Sequence, residues 1–236
     1  MRTAVECAGL TRRFGPVWAL RGVDVRVGAG AVAALFGRNG AGKTTLLRVF
    51  STLLGPTGGR LAVLGHTVME AGARGRPNRL AAEAARERIA WLSSSGHHYE
   101  DLTGLENLAF FSRLAGGGTD AAWLRDLLDR VGIARAANFK VRTFSAGMRR
   151  RLDLARLCAA PADLVLMDEP FVNLDADGAS LVRELIREWK AGGAAVIVAT
   201  HLEKELASVA DLAVRLRAGR PDLSAAGDRL PAQADP

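Results

Sequence analysis

The sequence predicts an α/β fold: a mixed sheet core, an N-terminal antiparallel β-subdomain and an inserted α-helical subdomain. Three observations carry this. Residues 164–167 and 194–198 are short, continuous apolar runs, as expected of parallel strands buried on both faces. Residues 4–7 and 23–27 alternate apolar and polar, as paired strands with one wet face do, and the second run ends in Gly28-Ala29-Gly30. Between these two zones, residues of roughly 95–155 carry helical periodicity and no strong strand signal. A chain of 236 residues suits one such domain, here residues 1–218 with the helical subdomain at about 95–155.

The elements follow in order. The apolar run 31–36 reads as a strand and residues 44–54 as a helix. Gly58-Gly59 turns the chain into a short strand at 60–64. Residues 66–82, rich in Gly, Arg and Pro, read as an exposed loop; 80–88 as a helix; and 89–92 as a strand. Two helices are expected at 105–114 and 121–131, split by Gly116-Gly117-Gly118. The second places Trp123, Leu124, Leu127, Leu128 and Val131 on one face. From Ala146 helix and buried strand alternate, and the Pro-containing tail 219–236 is expected to be disordered.

Composition excludes several classes. The 49% hydrophobic share supports a large core, yet no apolar run approaches the ~20 residues that span a bilayer. The N-terminus has no apolar signal core, and Cys7 and Cys158 form no close pair and no metal spacing. These features lead to the expectation of a cytoplasmic chain with both cysteines as small buried residues. The formal charge is +7, and of the 32 basic residues only Lys43, Lys140, Lys190 and Lys204 are lysines. Without aromatic-basic interleaving the arginines read as solvated faces, and no nucleic-acid partner is expected.

The chemistry begins at Gly37-Arg38-Asn39-Gly40-Ala41-Gly42-Lys43-Thr44, a complete Gly-x-x-x-x-Gly-Lys-Thr loop between a strand and a helix. Glycines let successive main-chain N–H groups converge on a phosphate, and the helix start adds positive potential there. Lys43 then reaches β- and γ-phosphate oxygens, and the Thr44 hydroxyl is a Mg²⁺ ligand, with Thr45 next along the helix. The loop implies a bound nucleoside triphosphate with Mg²⁺. Downstream, Asp168 and Glu169 end the apolar run 164–167. Asp168 suits the metal, and Glu169 is the candidate base that orients the attacking water. His201 closes the strand 196–200, again at a carboxyl end, where open α/β sheets place their ligands. Its neutral ring suffices to polarise a γ-phosphate.

Phe144-Ser145-Ala146-Gly147-Met148 resembles the Leu-Ser-Gly-Gly-Gln signature of ATP-binding cassette (ABC) ATPases, and it precedes the Asp168-Glu169 strand as in that family. The resemblance extends to about residue 217. It implies a P-loop NTPase core, Asn173-Leu174-Asp175 as the D-loop, His201 as the switch histidine, and Phe14 on the adenine, where stacking contributes about 1 kcal/mol. It also implies a head-to-tail homodimer around two ATP, in which Ser145 and Gly147 of one chain meet the γ-phosphate held by the other. A separate transmembrane permease would hold the dimer at the inner face of the membrane.

The chain departs from the family pattern at two places. Ser94 stands where the Q-loop glutamine is usual, and Met148 replaces the signature glutamine. The shorter hydroxyl would need a water to reach the metal, and the adjacent His97 and His98 read as solvated loop residues. Residues 102–114 and 168–178 are similar to the haem-exporter ATPases of cytochrome c biogenesis. The expectation is therefore the ATPase subunit of an exporter, haem export being the finer reading. Exporters of other substrates (drug or ABC-2 type) and an ATP-binding clamp with little turnover are the alternatives. A soluble DNA-repair or translation ATPase would show coiled-coil insertions or tandem cassettes, and neither occurs in this sequence.

Overall fold

The computed structural model describes residues 2–70, 77–94 and 96–221. Two long strands open the chain, β1 (Thr3–Phe14) and β2 (Val17–Gly28), paired antiparallel. They exceed the expected runs because the polar stretch Thr11–Phe14 continues the hairpin past the last apolar position, where periodicity has nothing to read. With β4 (Gly58–Val63) and β5 (His66–Met69) they make a four-stranded sheet in the order β2-β1-β4-β5.

The second sheet has six strands. Here β3 (Val32–Phe36), β6 (Ile89–Leu92), β7 (Leu164–Asp168), β8 (Ala195–Ala199), β9 (Leu212–Arg217) and β10 (Arg220–Pro221) run in the order β10-β9-β3-β8-β7-β6. All neighbours are parallel except the β9-β10 hairpin. Every residue of β3, β7 and β8 is buried. Alternate side chains feed two cores. Val32, Ala34, Phe36, Val165 and Met167 face the helical side, whereas Ala33, Leu35, Leu164 and Leu166 face the antiparallel sheet. Burial on both faces is why these strands read as unbroken apolar runs.

Helices α1 (Lys43–Phe50) and α2 (Arg79–Arg86) belong to the second core, while α3 (Gly104–Leu114), α4 (Ala121–Arg130), α5 (Ala146–Ala159) and α6 (Ala176–Ala191) cover the first. A short α7 (Glu203–Leu206) precedes β9. Leu124, Leu127 and Leu128 are buried on the expected face of α4, with Trp123 packed beside them.

Three expectations are corrected. Helix α1 stops four residues short of Leu54. Thr52 takes a left-handed φ of 60°, and α2 claims its polar atoms: Thr52 Oγ1 donates to Ala82 O, and Arg86 donates to Thr52 Oγ1 and O. The stretch 66–82 is not one loop, because it contains β5 and the start of α2. Val68 and Met69 are buried in the β4 pairing, and Asn78 caps α2 through the Ala81 N–H. Only residues 71–76 of that stretch lie outside the described residues. The tail from Gly219 begins ordered, since Arg220 and Pro221 pair with β9; residues 222–236 lie outside the described residues. No helix among the described residues is long and apolar enough to cross a membrane.

Candidate nucleotide site

The glycine loop leaves the carboxyl end of β3 and runs into α1. Gly42 is the N-cap at φ 109°, and its carbonyl accepts from the Leu46 N–H at 2.8 Å. No side chain among the described residues caps the helix, so its first N–H groups are left facing a cavity of about 250 Å³. Arg38, Asn39, Gly40, Ala41, Gly42, Lys43, Thr44 and Thr45 line that cavity together with Ala19, Ser94, Asp168 and Glu169. Gly37 lies behind it at φ 149°, and a Cβ there would stand 2.5 Å from Leu216 O.

Side chains from distant parts of the chain converge on this space. The Lys43 ammonium donates to Gly37 O at 2.7 Å and lies 3.6 Å from Glu169 Oε1, with only 6% of its side chain exposed. Thr44 Oγ1 donates to Asp168 Oδ2 at 2.8 Å, a contact spanning 124 residues. Asp168 Oδ1 is buried and has no hydrogen-bond partner among the described residues. A buried carboxylate oxygen left over beside a hydroxyl is the hard-oxygen donor set that suits Mg²⁺.

Glu169 has φ 47°, a left-handed turn on a non-glycine residue. In a continuing strand, consecutive side chains point to opposite faces. This turn breaks the alternation, so Asp168 and Glu169 both reach the same cavity. Glu169 Oε2 accepts from Thr200 Oγ1 at 3.0 Å and lies 3.0 Å from His201 Nδ1. His201 is exposed and touches the cavity through Glu169 rather than lining it.

Other residues singled out in the sequence lie apart from this cavity. Phe14 borders a neighbouring groove of about 660 Å³ with Arg48 and Leu53, and the Arg12 guanidinium sits 4.5 Å from its ring centre. Ser145 is the N-cap of α5, its hydroxyl accepting from the Met148 N–H at 3.1 Å, and Gly147 is in the first turn. Neither lines the phosphate-loop cavity of its own chain. Asp175 caps α6 and pairs with Arg151, so it is committed locally. His98 is not solvated: its ring is buried, with Nε2 3.0 Å from Asp153 Oδ1.

Two contributors went unread in the sequence. Thr200 is fully buried under Glu169, and its position directly before His201 at a strand end was the available signal. Arg150 sits inside an arginine triplet that composition alone reads as solvated, yet it is buried and bonded to the main chain at Asp168, Glu169 and Pro170.

Comparison with known proteins agrees with this geometry. The profile of the family described as ABC transporter matches residues 20–172. The daunorubicin resistance ATP-binding protein DrrA3 of Streptomyces coeruleorubidus is 38% identical over 233 residues, which cover 98% of this chain and 71% of that protein. The cytochrome c biogenesis ATP-binding export protein CcmA 2 of Cupriavidus metallidurans is 37% identical over 197 residues, 84% of this chain and 89% of that one. A solved dimeric bacterial ABC transporter cassette superposes with a TM-score of 0.81 at 21% identity, covering 92% of this chain and 96% of that one, and shares its fold. A glycine loop, two strand-end acids and a capped signature helix in one cassette fold, with relatives of this identity, place the chain in the ABC transporter family as an ATP-binding cassette of its ATPase class.

Proposed function

We propose that this chain is the ATP-hydrolysing subunit of an exporter, working as a dimer on the cytoplasmic side of a separate membrane permease. The observation that carries the reading is the convergence of Lys43, Thr44, Asp168 and Glu169 on one cavity at the start of α1. Main-chain N–H groups of residues 38–45 cradle the β- and γ-phosphates, and the Lys43 ammonium neutralises their charge. Thr44 and Asp168 would hold Mg²⁺, which supplies charge neutralisation to the phosphates. Glu169 orients the attacking water and takes its proton, held in place by Thr200 and His201. With His201 Nδ1 donating to Glu169, a simultaneous hydrogen bond from Nε2 to the γ-phosphate needs a proton on both ring nitrogens, and a neutral ring reaches the phosphate only by turning.

Ser145 and Gly147 stand at the exposed start of α5, away from their own chain's loop, which supports their meeting the γ-phosphate bound by a second copy. Phe14, on the β1-β2 hairpin, is assigned to the adenine on the family resemblance alone. For the cargo, the similarity of residues 102–114 and 168–178 and the CcmA 2 relative support haem export, whereas the DrrA3 relative supports a drug-type cargo at nearly the same identity. Assembly of cytochrome c in a deletion strain separates the two, since normal assembly removes the haem reading.

The test of the core reading is a pair of variants. Glu169→Gln should bind ATP, accumulate as a closed dimer and nearly stop hydrolysing, whereas Lys43→Ala should weaken nucleotide binding itself. Single-turnover hydrolysis at the wild-type rate by Glu169→Gln would remove Glu169 from the role of base. A wild-type protein that binds ATP and never hydrolyses it, even with its permease, would instead make this cassette a clamp.

A further inference from the structure

Arg150 is a buried guanidinium, 6% exposed and drawn from α5 toward the ends of two strands. Its five N–H groups are the full complement an arginine has. Nε donates to Pro170 O at 3.2 Å, Nη2 to Asp168 O at 2.9 Å and to Glu169 O at 2.5 Å, and Nη1 to Ser93 O at 3.1 Å. Nη1 also lies 3.8 Å from the Asp153 carboxylate. Burial pulls the guanidinium below its ordinary value, against the upward pull of Asp153, Asp168 and Glu169.

Three consecutive carbonyls, those of residues 168–170, thus point at one side chain. They point together because the chain turns left-handed at Glu169, the same turn that brings Glu169 beside Asp168 in the phosphate-loop cavity. A left-handed glutamate persists only where its surroundings over-determine it. On the donor side the Glu169 N–H is tied to Ala199 O at 2.7 Å; on the carbonyl side Arg150 is the tie. The fourth carbonyl, that of Ser93, precedes Ser94, which lines the same cavity. One side chain therefore joins the signature helix, the acidic turn and the segment after β6.

We propose that Arg150 is a positioning residue for hydrolysis: by gathering the carbonyls of Asp168, Glu169, Pro170 and Ser93, it holds the turn that aims Glu169 at the bound phosphate. It does not line the phosphate-loop cavity and acts through Glu169. A lysine at this position keeps the charge but has only three donors and no planar fork, so it can satisfy part of the set. The proposal rests on the reading of Glu169 as the base.

The test compares wild type, Arg150→Lys, Arg150→Met, Glu169→Gln and the double variant Arg150→Lys/Glu169→Gln in the full chain. Affinity for a fluorescent ATP analogue and single-turnover ATP hydrolysis are measured. Arg150→Met should hydrolyse about 100-fold more slowly and Arg150→Lys about tenfold more slowly, as a misplaced catalytic group does. Analogue affinity should stay within about threefold in both, because the loss is confined to the reacting state. The double variant should be no more than about twofold slower than Glu169→Gln alone, since both changes disable the same group. Should Arg150→Met fail to fold, Arg150→Lys and the double variant carry the decision.

Arg150→Lys hydrolysing like wild type beside an inactive Glu169→Gln overturns this proposal alone. A full tenfold loss on the Glu169→Gln background also overturns it, because Arg150 would then act independently of Glu169. Wild-type hydrolysis by Glu169→Gln overturns both the base and the positioning built on it.

Discussion

Substitution of Gly42 by alanine presses on the phosphate loop at the point where backbone shape and packing meet. Gly42 has φ 109°, and a Cβ built there stands 2.8 Å from Ala19 O and 3.2 Å from Leu20 Cδ2. The first of these is main chain in β2 and cannot swing aside. Gly40 is the control: it has φ 79°, and no described residue comes within 4 Å of a Cβ built there. Gly40→Ala therefore bears conformational strain alone, about 1–2 kcal/mol. Gly42→Ala bears strain of about 1–3 kcal/mol plus overpacking of about 1–3 kcal/mol, together about 4 kcal/mol.

That penalty has two outlets. If the loop keeps its shape, the protein loses stability, and for a chain of this size each kcal/mol lowers Tm by about 2–4 °C. If the loop yields, its N–H groups leave their positions and ATP affinity falls tenfold for about every 1.4 kcal/mol. Thermal melts without nucleotide and titration with a fluorescent ATP analogue read the two outlets. The two losses should sum to about 4 kcal/mol in Gly42→Ala and about 1–2 kcal/mol in Gly40→Ala. Equal sums for the two variants would refute the claim that the contact with Ala19 shapes the loop.

Two further outcomes follow from the structure. In α3 the Thr103 N–H and hydroxyl both donate to Glu106, lowering its carboxyl from the ordinary value; the stabilisation is present above the unfolded-state value and is lost as pH falls through the lower folded one. Protection of the α3 amides, taken relative to the intrinsic exchange rate at each pH, should fall through that acid window and fall less in Glu106→Gln; unchanged acid sensitivity of the protection in the variant would dismiss the cap. Burial pushes the Cys7 thiol up to about 12 and the Cys158 thiol up to about 11, so thiolate is scarce near neutrality and both should react slowly with a disulfide reagent until the protein unfolds; rapid native labelling of either would contradict the packing described.

The parallel core was legible because β3, β7 and β8 are buried on both faces, and so carry a signal that neighbouring elements cannot disguise. The loop 37–44 was legible because phosphate recognition by the backbone needs glycine and lysine at fixed offsets. Edge elements were not. The four residues of β5 are defined by pairing with β4, a contact between segments rather than a property of either, whereas α2 (Arg79–Arg86) was expected as a helix at 80–88. Ser94 lines the phosphate-loop cavity, whereas His98 could not be seen to be buried against Asp153, 55 positions away.

What the sequence by itself determined is the chemistry available: a glycine loop with its lysine and hydroxyl, two acids at a strand end, and a histidine at another. Only the tertiary structure decided which way those groups face. The turn at Glu169 that sets both acids on one cavity depends on hydrogen bonds from Arg150 and to Ala199, residues 19 and 30 positions away. Arginines 149 to 151 are identical letters in the chain, and it is the direction α5 takes across the strand ends that buries the middle one. Local composition cannot encode that direction, because it is set by the packing of α5 on the sheet.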